Sequence, residues 1–286
     1  MAEISAATVM KLRKMSGQGM MDCKKALGES DGDLDAAMDI LRKKGLATLA
    51  KRAGRDTTEG RVVCKISDDK KTVAISSLCC ETDFASKSED FVATANLLAD
   101  YSMVCESDEG VENLAKTAVD GKKYSEVLTD LISKTGEKTE VGDYVRYSLT
   151  GTGVLGTYVH FNNKLGAVVE IETSSDDVSC AVAEVAVGVA MHITAMNPMG
   201  VDRDSVDPEV IEKERAVAAE QVKGKPAEIM EKILDGKVNK FLKDNCLVYQ
   251  TFVKDESVTI EEAVTAAAKG GGGDAKVKRF TRIEIG

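Results

Sequence analysis

Two long stretches of the chain repeat one order of structural signals, and that order limits the folds open to it. In each, two apolar, β-rich runs flank a short polar turn, an apolar helical pattern follows, and a further β-rich run closes the unit. Strands joined by so short a turn pair antiparallel, and helices on one face of such sheets make an α+β fold. We therefore predict two hairpin–helix–strand subdomains with antiparallel sheets, related by internal duplication.

The apolar runs locate the strands of both units. The first hairpin joins residues 61–66 to 72–78, and 141–149 closes its sheet. The second joins 154–161 to 165–171, and its closing strand comes only at 277–285. The long interval before that last strand indicates an insertion in the second unit.

Helical patterns dominate the remaining chain. Near the N-terminus, apolar residues at helical spacing predict a small bundle of three helices, the third of which begins after Asp33 and ends at Gly45. In the insertion, one helix begins at Pro208, a tight reversal falls at 224–226, and a second helix follows, which predicts an antiparallel hairpin. The predicted units are residues 1–55, 56–150, 151–207 together with 246–286, and the hairpin 208–245.

Composition excludes several classes of function. A formal net charge of −10 disfavours direct nucleic-acid binding, which needs a basic face. Because no run of about 18 apolar residues is evident and the start resembles neither a signal nor a transit peptide, we expect a cytoplasmic protein without membrane segments. Gly270–Gly273 follows a helical pattern and precedes no Gly-Lys-Ser/Thr, so it indicates a flexible linker instead of a phosphate loop.

The seven cysteines are scattered, odd in number and without a C-x-x-C motif. This spacing argues against a zinc site and a disulfide scaffold and favours free thiols in a reducing compartment. Cys79 and Cys80 are adjacent, so a cytosolic thiol oxidoreductase stays open as an alternative. No metal site, cofactor or catalytic group is predicted, because no nucleophile–base pair or phosphate cradle is present as a motif.

The stretch from Leu78 to Lys87 passes from a strand into a helix and places a large aromatic beside a carboxylate. Such corners lie on the surface, where loops on a rigid scaffold carry function. Two interpretations stand at this point. Phe84 can fold into the core while Asp83 caps the next helix, or both can face a partner.

Two motifs make the chain similar to a known family. Residues 80–84 (CETDF) and 12–27 (LRKMSGQGMMDCKKAL) resemble, in the expected order, the signatures of elongation factor Ts, the guanine-nucleotide exchange factor of the translational GTPase EF-Tu. The resemblance implies a UBA-like helical module for the N-terminal bundle and a coiled-coil arm for residues 208–245. It also implies a role in protein biosynthesis, in which the protein binds EF-Tu·GDP and promotes GDP release by displacing Mg²⁺.

The same resemblance implies site residues and partners. A non-enzymatic exchange factor of this kind would meet EF-Tu in its GDP-bound and nucleotide-free states, and a homodimer or a heterotetramer with EF-Tu stays open. Without the resemblance, a peptide-binding adaptor remains a further alternative, and Met20, Met21 and His160 are equally compatible with structural roles. The residues implied to displace Mg²⁺ are Thr82, Asp83, Phe84 and Ala85, and those implied to contact EF-Tu are Leu12, Arg13, Met20, Met21 and His160.

Overall fold

The computed structural model describes residues 4–220 and 227–286, which form an α+β fold. In chain order the helices are α1 (Ala6–Ser16), α2 (Met20–Glu29), α3 (Leu34–Arg52), α4 (Asp83–Ser86), α5 (Glu89–Val104), α6 (Val111–Lys116), α7 (Tyr124–Thr135), α8 (Asp176–Met196), α9 (Pro208–Glu220), α10 (Ala227–Asn245) and α11 (Ile260–Gly270). The strands are β1 (Glu59–Ile66), β2 (Thr72–Cys80), β3 (Ala118–Val119), β4 (Lys122–Lys123), β5 (Thr139–Ser148), β6 (Gly153–Val159), β7 (Leu165–Thr173), β8 (Thr251–Phe252), β9 (Asp255–Thr259) and β10 (Ala275–Glu284).

Two antiparallel sheets of three strands each have the same topology. The strand orders are β1-β2-β5 and β6-β7-β10, so in each sheet the closing strand pairs with the second strand of the hairpin. Helix α5 packs on the first sheet and α8 on the second. The middle strands β2 and β7 are buried on both faces, because a helix covers one face and the other sheet covers the opposite face.

A shared core joins the two sheets. Ile75 of β2, Leu155 of β6, Val168 of β7 and Ile283 of β10 belong to one cluster of buried side chains. Burying a side chain of this size stabilises the fold by about 1.5–3 kcal/mol. Apolar packing between the two sheets therefore helps to set their relative position.

The N-terminal helices α1, α2 and α3 have a small core of their own, and α3 packs on α7. The sequence predicted that α3 ends at Gly45, and this was wrong: the helix continues to Arg52. A Cβ at Gly45 would lie 1.8 Å from Ser133 Oγ and 3.0 Å from the carbonyl oxygen of Thr129. Gly45 therefore permits close approach of α3 to α7 and does not terminate the helix.

Helices α9 and α10 lie antiparallel and form an arm on the second unit. Val210 near the start of α9 packs in the cluster of Leu242 near the end of α10, while Ala218 packs with Leu234. Arg215 of α9 forms ion pairs with Glu231 and, at 3.0 Å, with Asp235 of α10. The reversal predicted at residues 224–226 lies outside the described residues.

Helix α8 alone among the described helices is long and apolar enough to cross a membrane by length and composition. Half of its most apolar window is buried inside the protein, against β6, β7 and α11. The core helix of an α+β protein has the same composition, so the hydropathy of α8 is accounted for by its packing on the sheet.

Replacing Gly45 by Ala tests the contact between α3 and α7. We expect the Gly45→Ala variant to lose about 1–3 kcal/mol of unfolding free energy, because overpacking outweighs the gain in helix propensity. Gly236 of α10 has open space around its Cα, so Gly236→Ala should gain about 1 kcal/mol. Equal effects of the two substitutions in denaturant unfolding would contradict the close approach.

Candidate functional site

The stretch Thr82–Ala85, called the aromatic corner below, connects β2 to α5 and contains most of the short helix α4. Thr82 caps α4, since its Oγ1 accepts a hydrogen bond of 3.2 Å from the backbone N–H of Ala85. Thr82 also donates from Oγ1 and from its backbone N–H to the two carboxylate oxygens of Glu137, at 2.8 and 3.2 Å. The start of the corner is thereby held through both its side chain and its backbone.

Burial of Ala85 directs Phe84 outwards. Ala85 packs in the core beneath α5 together with Phe91, and Ser88 donates to the Ala85 carbonyl oxygen at 2.8 Å. With Ala85 facing inward on a single helical turn, the Phe84 side chain projects into solvent and is 84% exposed. The interpretation that Phe84 folds into the core is therefore wrong.

Glu81, directly before the corner, connects three parts of the chain. Its carboxylate accepts hydrogen bonds from Arg52 at 2.8 Å, Arg55 at 2.7 Å and the backbone N–H of Lys138 at 2.7 Å. Arg52 ends α3, while Lys138 immediately precedes β5. The side chain is only 10% exposed, so this carboxylate ties the N-terminal helices and the first sheet to the base of the corner.

The partners of Glu81 determine its ionisation. Burial would raise the pKa, but the hydrogen bonds from Arg52, the Lys138 backbone and Arg55 outweigh it and lower the pKa of Glu81 from 4.5 to about 2. The carboxylate is therefore charged at neutral pH and down to well below its ordinary pKa.

Asp83 lies beside Phe84 and is half-exposed. A hydrogen bond of 2.7 Å from Lys87 Nζ is the largest effect that lowers the pKa of Asp83. The carboxylate is thus anionic at neutral pH. Because Lys87 is an exposed partner one helical turn away, Asp83 can exchange this ion pair for one with another molecule at little cost.

His160 begins the turn between β6 and β7, and residues 160–164 are called the hairpin tip below. Its Nδ1 lies 3.2 Å from Tyr158 Oη, and its ring centre is 4.3 Å from that of Phe161. The prediction that residues 154–161 form a strand was too long, because β6 ends at Val159 and Phe161 belongs to the turn. His160 is half-buried, with its ring packed against these neighbours.

The residues predicted to contact a partner from the N-terminal helices divide into two groups. Arg13, Met20 and Met21 are exposed, the two methionines by 47% and 76%. Leu12 is fully buried in the core of α1, α2 and α3 with Val9. A contact role for the Leu12 side chain is therefore corrected to a structural one, since it faces inward on the stripe that holds the three helices together.

The paired thiols lack the properties of a redox site. Cys79 and Cys80 are both buried, and burial raises the pKa of both thiols, that of Cys80 to about 12. The thiolate is the reactive form of cysteine, so neither side chain is activated. Within residues 4–220 and 227–286, no three His, Cys, Asp or Glu side chains converge on a metal position.

Two features of this surface were missed by sequence reasoning. Phe161 was predicted to end a strand, although the Asn162-Asn163 pair that directly follows it is typical of a turn. Glu81 lies inside the motif of residues 80–84, and the sequence alone indicates no role for its side chain. Its partners Arg52 and Arg55 lie far away in sequence, so only the tertiary structure brings them together.

Exposed aromatic and methionine side chains on rigid supports are typical of protein-binding surfaces. The α+β scaffold and the aromatic corner therefore define a protein that acts through contact with another macromolecule.

Comparison with known proteins agrees with this class. The model of the family "Elongation factor TS" matches residues 81–286. Elongation factor Ts of a Nitratiruptor species is 41% identical over 285 residues, covering 99% of this chain and 93% of the relative. The protein of the same name from Clostridium botulinum (strain Alaska E43 / Type E3) is 43% identical and covers 99% of this chain and 93% of its own length. That from Clostridioides difficile (strain 630) is 40% identical and covers 100% of this chain and 94% of its own length. The chain belongs to the elongation factor Ts family.

The Glu81 carboxylate predicts a specific pH dependence of stability. A carboxylate whose pKa is lowered in the folded state stabilises that state fully at pH values above its ordinary pKa of 4.5. This stabilisation disappears as the pH falls towards about 2. At pH 7, Glu81→Gln should reduce the unfolding free energy by about 1–3 kcal/mol.

Chemical denaturation of wild type and Glu81→Gln at about pH 7, 4.5 and 3 measures this effect. The difference between the two proteins should shrink below the ordinary pKa of 4.5. Glu256→Gln, the same change at an exposed position of β9, should show almost no difference at any pH. A constant gap between wild type and Glu81→Gln would contradict the assignment.

Proposed function

We propose that the protein binds EF-Tu in its GDP-bound state and promotes release of GDP by displacing Mg²⁺, so that EF-Tu can bind GTP. Membership of the elongation factor Ts family supports the partner and the activity. The observation that carries the mechanism is the 84% exposure of Phe84 on a rigid corner, directly beside the anionic Asp83.

The energetics define what the corner must supply. To accelerate GDP release about a thousandfold, the factor must lower the barrier by about 4 kcal/mol. Burial of one Phe side chain contributes about 1.5–3 kcal/mol, so Phe84 alone is insufficient. By reciprocity, a factor that weakens nucleotide binding is itself bound more weakly by the nucleotide-bound GTPase, by the same ratio.

Phe84 and Asp83 have different roles in this mechanism. Phe84 inserts between helices of EF-Tu near the Mg²⁺ site and shifts the groups that hold the ion. Asp83 leaves Lys87 and pairs with or repels groups at that site, which weakens Mg²⁺ binding. Thr82 and Ala85 do not need to touch the partner, since the Thr82–Glu137 hydrogen bonds and the burial of Ala85 keep Phe84 in position.

Further contacts supply the remaining docking energy. Arg13, Met20 and Met21 on the N-terminal helices and His160 on the hairpin tip are accessible for this purpose. The Glu81 ion pair with Arg52 connects α3 to the corner. Docking of the N-terminal helices on EF-Tu is thereby linked mechanically to the position of Phe84.

The finer organisation is part of the same proposal. Residues 1–55 form a UBA-like module, and 208–245 a coiled-coil arm supported by the paired clusters of α9 and α10. The core consists of units 56–150 and 151–207 with 246–286, in keeping with the two sheets. The protein works in the cytoplasm as a binding factor without chemistry or cofactor of its own. It also holds nucleotide-free EF-Tu, and a homodimer or a heterotetramer with EF-Tu is compatible with this role.

Removing the Phe84 ring tests the wedge. Wild type should accelerate release of a fluorescent GDP analogue from EF-Tu, and Phe84→Ala should lower the maximal release rate about 10- to 100-fold. Because Phe84 is exposed, the thermal unfolding midpoint should not change.

Val104→Ala is a matched control for this experiment. Val104 is 56% exposed and ends α5, about 24 Å from the start of that helix beside the aromatic corner. The Val104→Ala variant should accelerate GDP release from EF-Tu as much as wild type does. The proposed function fails if wild type does not accelerate release, and the wedge fails if Phe84→Ala equals wild type.

Chelation of Mg²⁺ tests whether Asp83 acts through the metal ion. With Mg²⁺ present, Asp83→Asn should slow factor-dependent GDP release about tenfold, because the neutral amide cannot compete for the metal site. With excess EDTA the metal is already absent, so Asp83→Asn and wild type should act equally. A defect of the same size with and without Mg²⁺ would show that Asp83 acts on something other than the ion.

A further inference from the structure

A second large aromatic side chain projects into solvent next to the aromatic corner. Phe161 is 85% exposed and Phe84 is 84% exposed, more than any other large apolar side chain in residues 4–220 and 227–286. Apolar side chains exposed singly are common on protein surfaces, so the feature that needs an explanation is the presence of two such rings beside one another.

The hairpin tip holds Phe161 in a defined position. Asn163 adopts a left-handed conformation (φ 56°), its backbone N–H donates to the His160 carbonyl oxygen at 2.8 Å, and Asn162 Oδ1 accepts from the Lys164 backbone at 2.9 Å. The ring of His160 lies against that of Phe161 at 4.3 Å. These contacts restrict the turn, so little conformational entropy is lost when the ring is buried by a partner.

The hairpin tip is also fastened to the first sheet, which places it beside the aromatic corner. The Val62 backbone N–H donates to the Asn163 carbonyl oxygen at 2.7 Å, and Lys164 pairs with Glu59 at 2.7 Å. Val62 and Glu59 both belong to β1, the strand that contacts α4. The two exposed rings are therefore carried by supports that share one strand.

A groove of about 490 Å³ separates the two supports and is called the charged groove. Asp83 of the aromatic corner and Lys87, which follows the corner, form one wall. Asn162 and Lys164 of the hairpin tip form the other. Asp83 pairs with Lys87, and Glu59 pairs with Lys164. The pKa of Lys87 is raised mainly by Asp83, and the negative charge of Glu59 adds to this effect. The groove thus presents two ion pairs between the supports that carry the rings, and Arg61 of β1 adds a third basic side chain to its lining.

We propose that Phe161 is a second anchor for the partner bound by Phe84, and that the partner surface has two apolar sockets separated by a polar ridge. This inference rests on the proposed function, so the partner is the GDP-bound GTPase. The paired charges of the groove suit a ridge that carries both donors and acceptors, such as the polar edge of a helix. A polyanion needs several free basic groups, whereas four of the five charged side chains that line the groove are paired with each other.

The two rings act at different stages. Phe84, beside Asp83, acts on the metal site and therefore on the rate of GDP release. Phe161 has no acidic neighbour within the tip, where His160 and Asn162 flank it, so its contribution is docking that persists throughout the reaction. A contact of this kind changes the concentration of factor required and leaves the maximal rate unchanged.

A concentration series distinguishes an anchor from a wedge. Release of the fluorescent GDP analogue is followed at increasing concentrations of wild type, Phe161→Ala, Phe84→Ala and Val104→Ala. For Phe161→Ala the concentration that gives half-maximal release should rise about 10- to 100-fold, the range for loss of one buried Phe side chain. The maximal rate should equal that of wild type, and the dissociation constant for nucleotide-free EF-Tu should rise by a similar factor.

Each outcome decides one proposal. If wild type is active and Phe161→Ala follows the wild-type curve, the anchor is refuted and the proposed function stands. If Phe161→Ala lowers the maximal rate at unchanged half-maximal concentration, Phe161 is not an anchor. If wild type does not speed release, the proposed function fails and the anchor fails with it. Thermal unfolding of Phe161→Ala should match wild type, which shows that any effect is not a loss of folded protein.

Discussion

The buried carboxylate of Glu81 is the interaction on which the position of the functional surface depends. It binds the end of α3 through Arg52, the start of β5 through the Lys138 backbone, and lies one residue before the aromatic corner. Elements from three parts of the chain are thereby held at one point. Because the pKa of Glu81 is lowered to about 2, the network stays charged throughout the physiological range.

The scaffold tolerates two large rings in water because its stability comes from elsewhere. Apolar packing between the sheets, through residues such as Ile75 and Val168, stabilises the core independently of the exposed Phe84 and Phe161. Short turns with their own hydrogen bonds hold both rings. Neither ring is part of the buried core, so both are accessible for the partner contacts proposed above.

Much of the fold is readable from the sequence, and the errors have local physical causes. The apolar, β-rich runs predicted both hairpins, and the caps Ser5 and Asp33 predicted helix starts. Gly45 was misread because a helical glycine that permits close approach to Ser133 looks the same in sequence as one that ends a helix. Leu12 lies inside a motif that resembles a binding signature, and the motif alone does not separate its inward direction from the outward one of Arg13.

The sequence by itself determined the α+β class, the order of the six strands that form the two large sheets, and the family, since each depends on periodicity or on motifs that are contiguous in the chain. Only the tertiary structure decided which side chains of those motifs face solvent and which distant residues surround them. Exposure of Phe84 follows from burial of its neighbour Ala85, and the proximity of the hairpin tip follows from pairing of Lys164 with Glu59, 105 residues earlier. Contacts of that range arise from packing of the two sheets, for which the local sequence holds no signal.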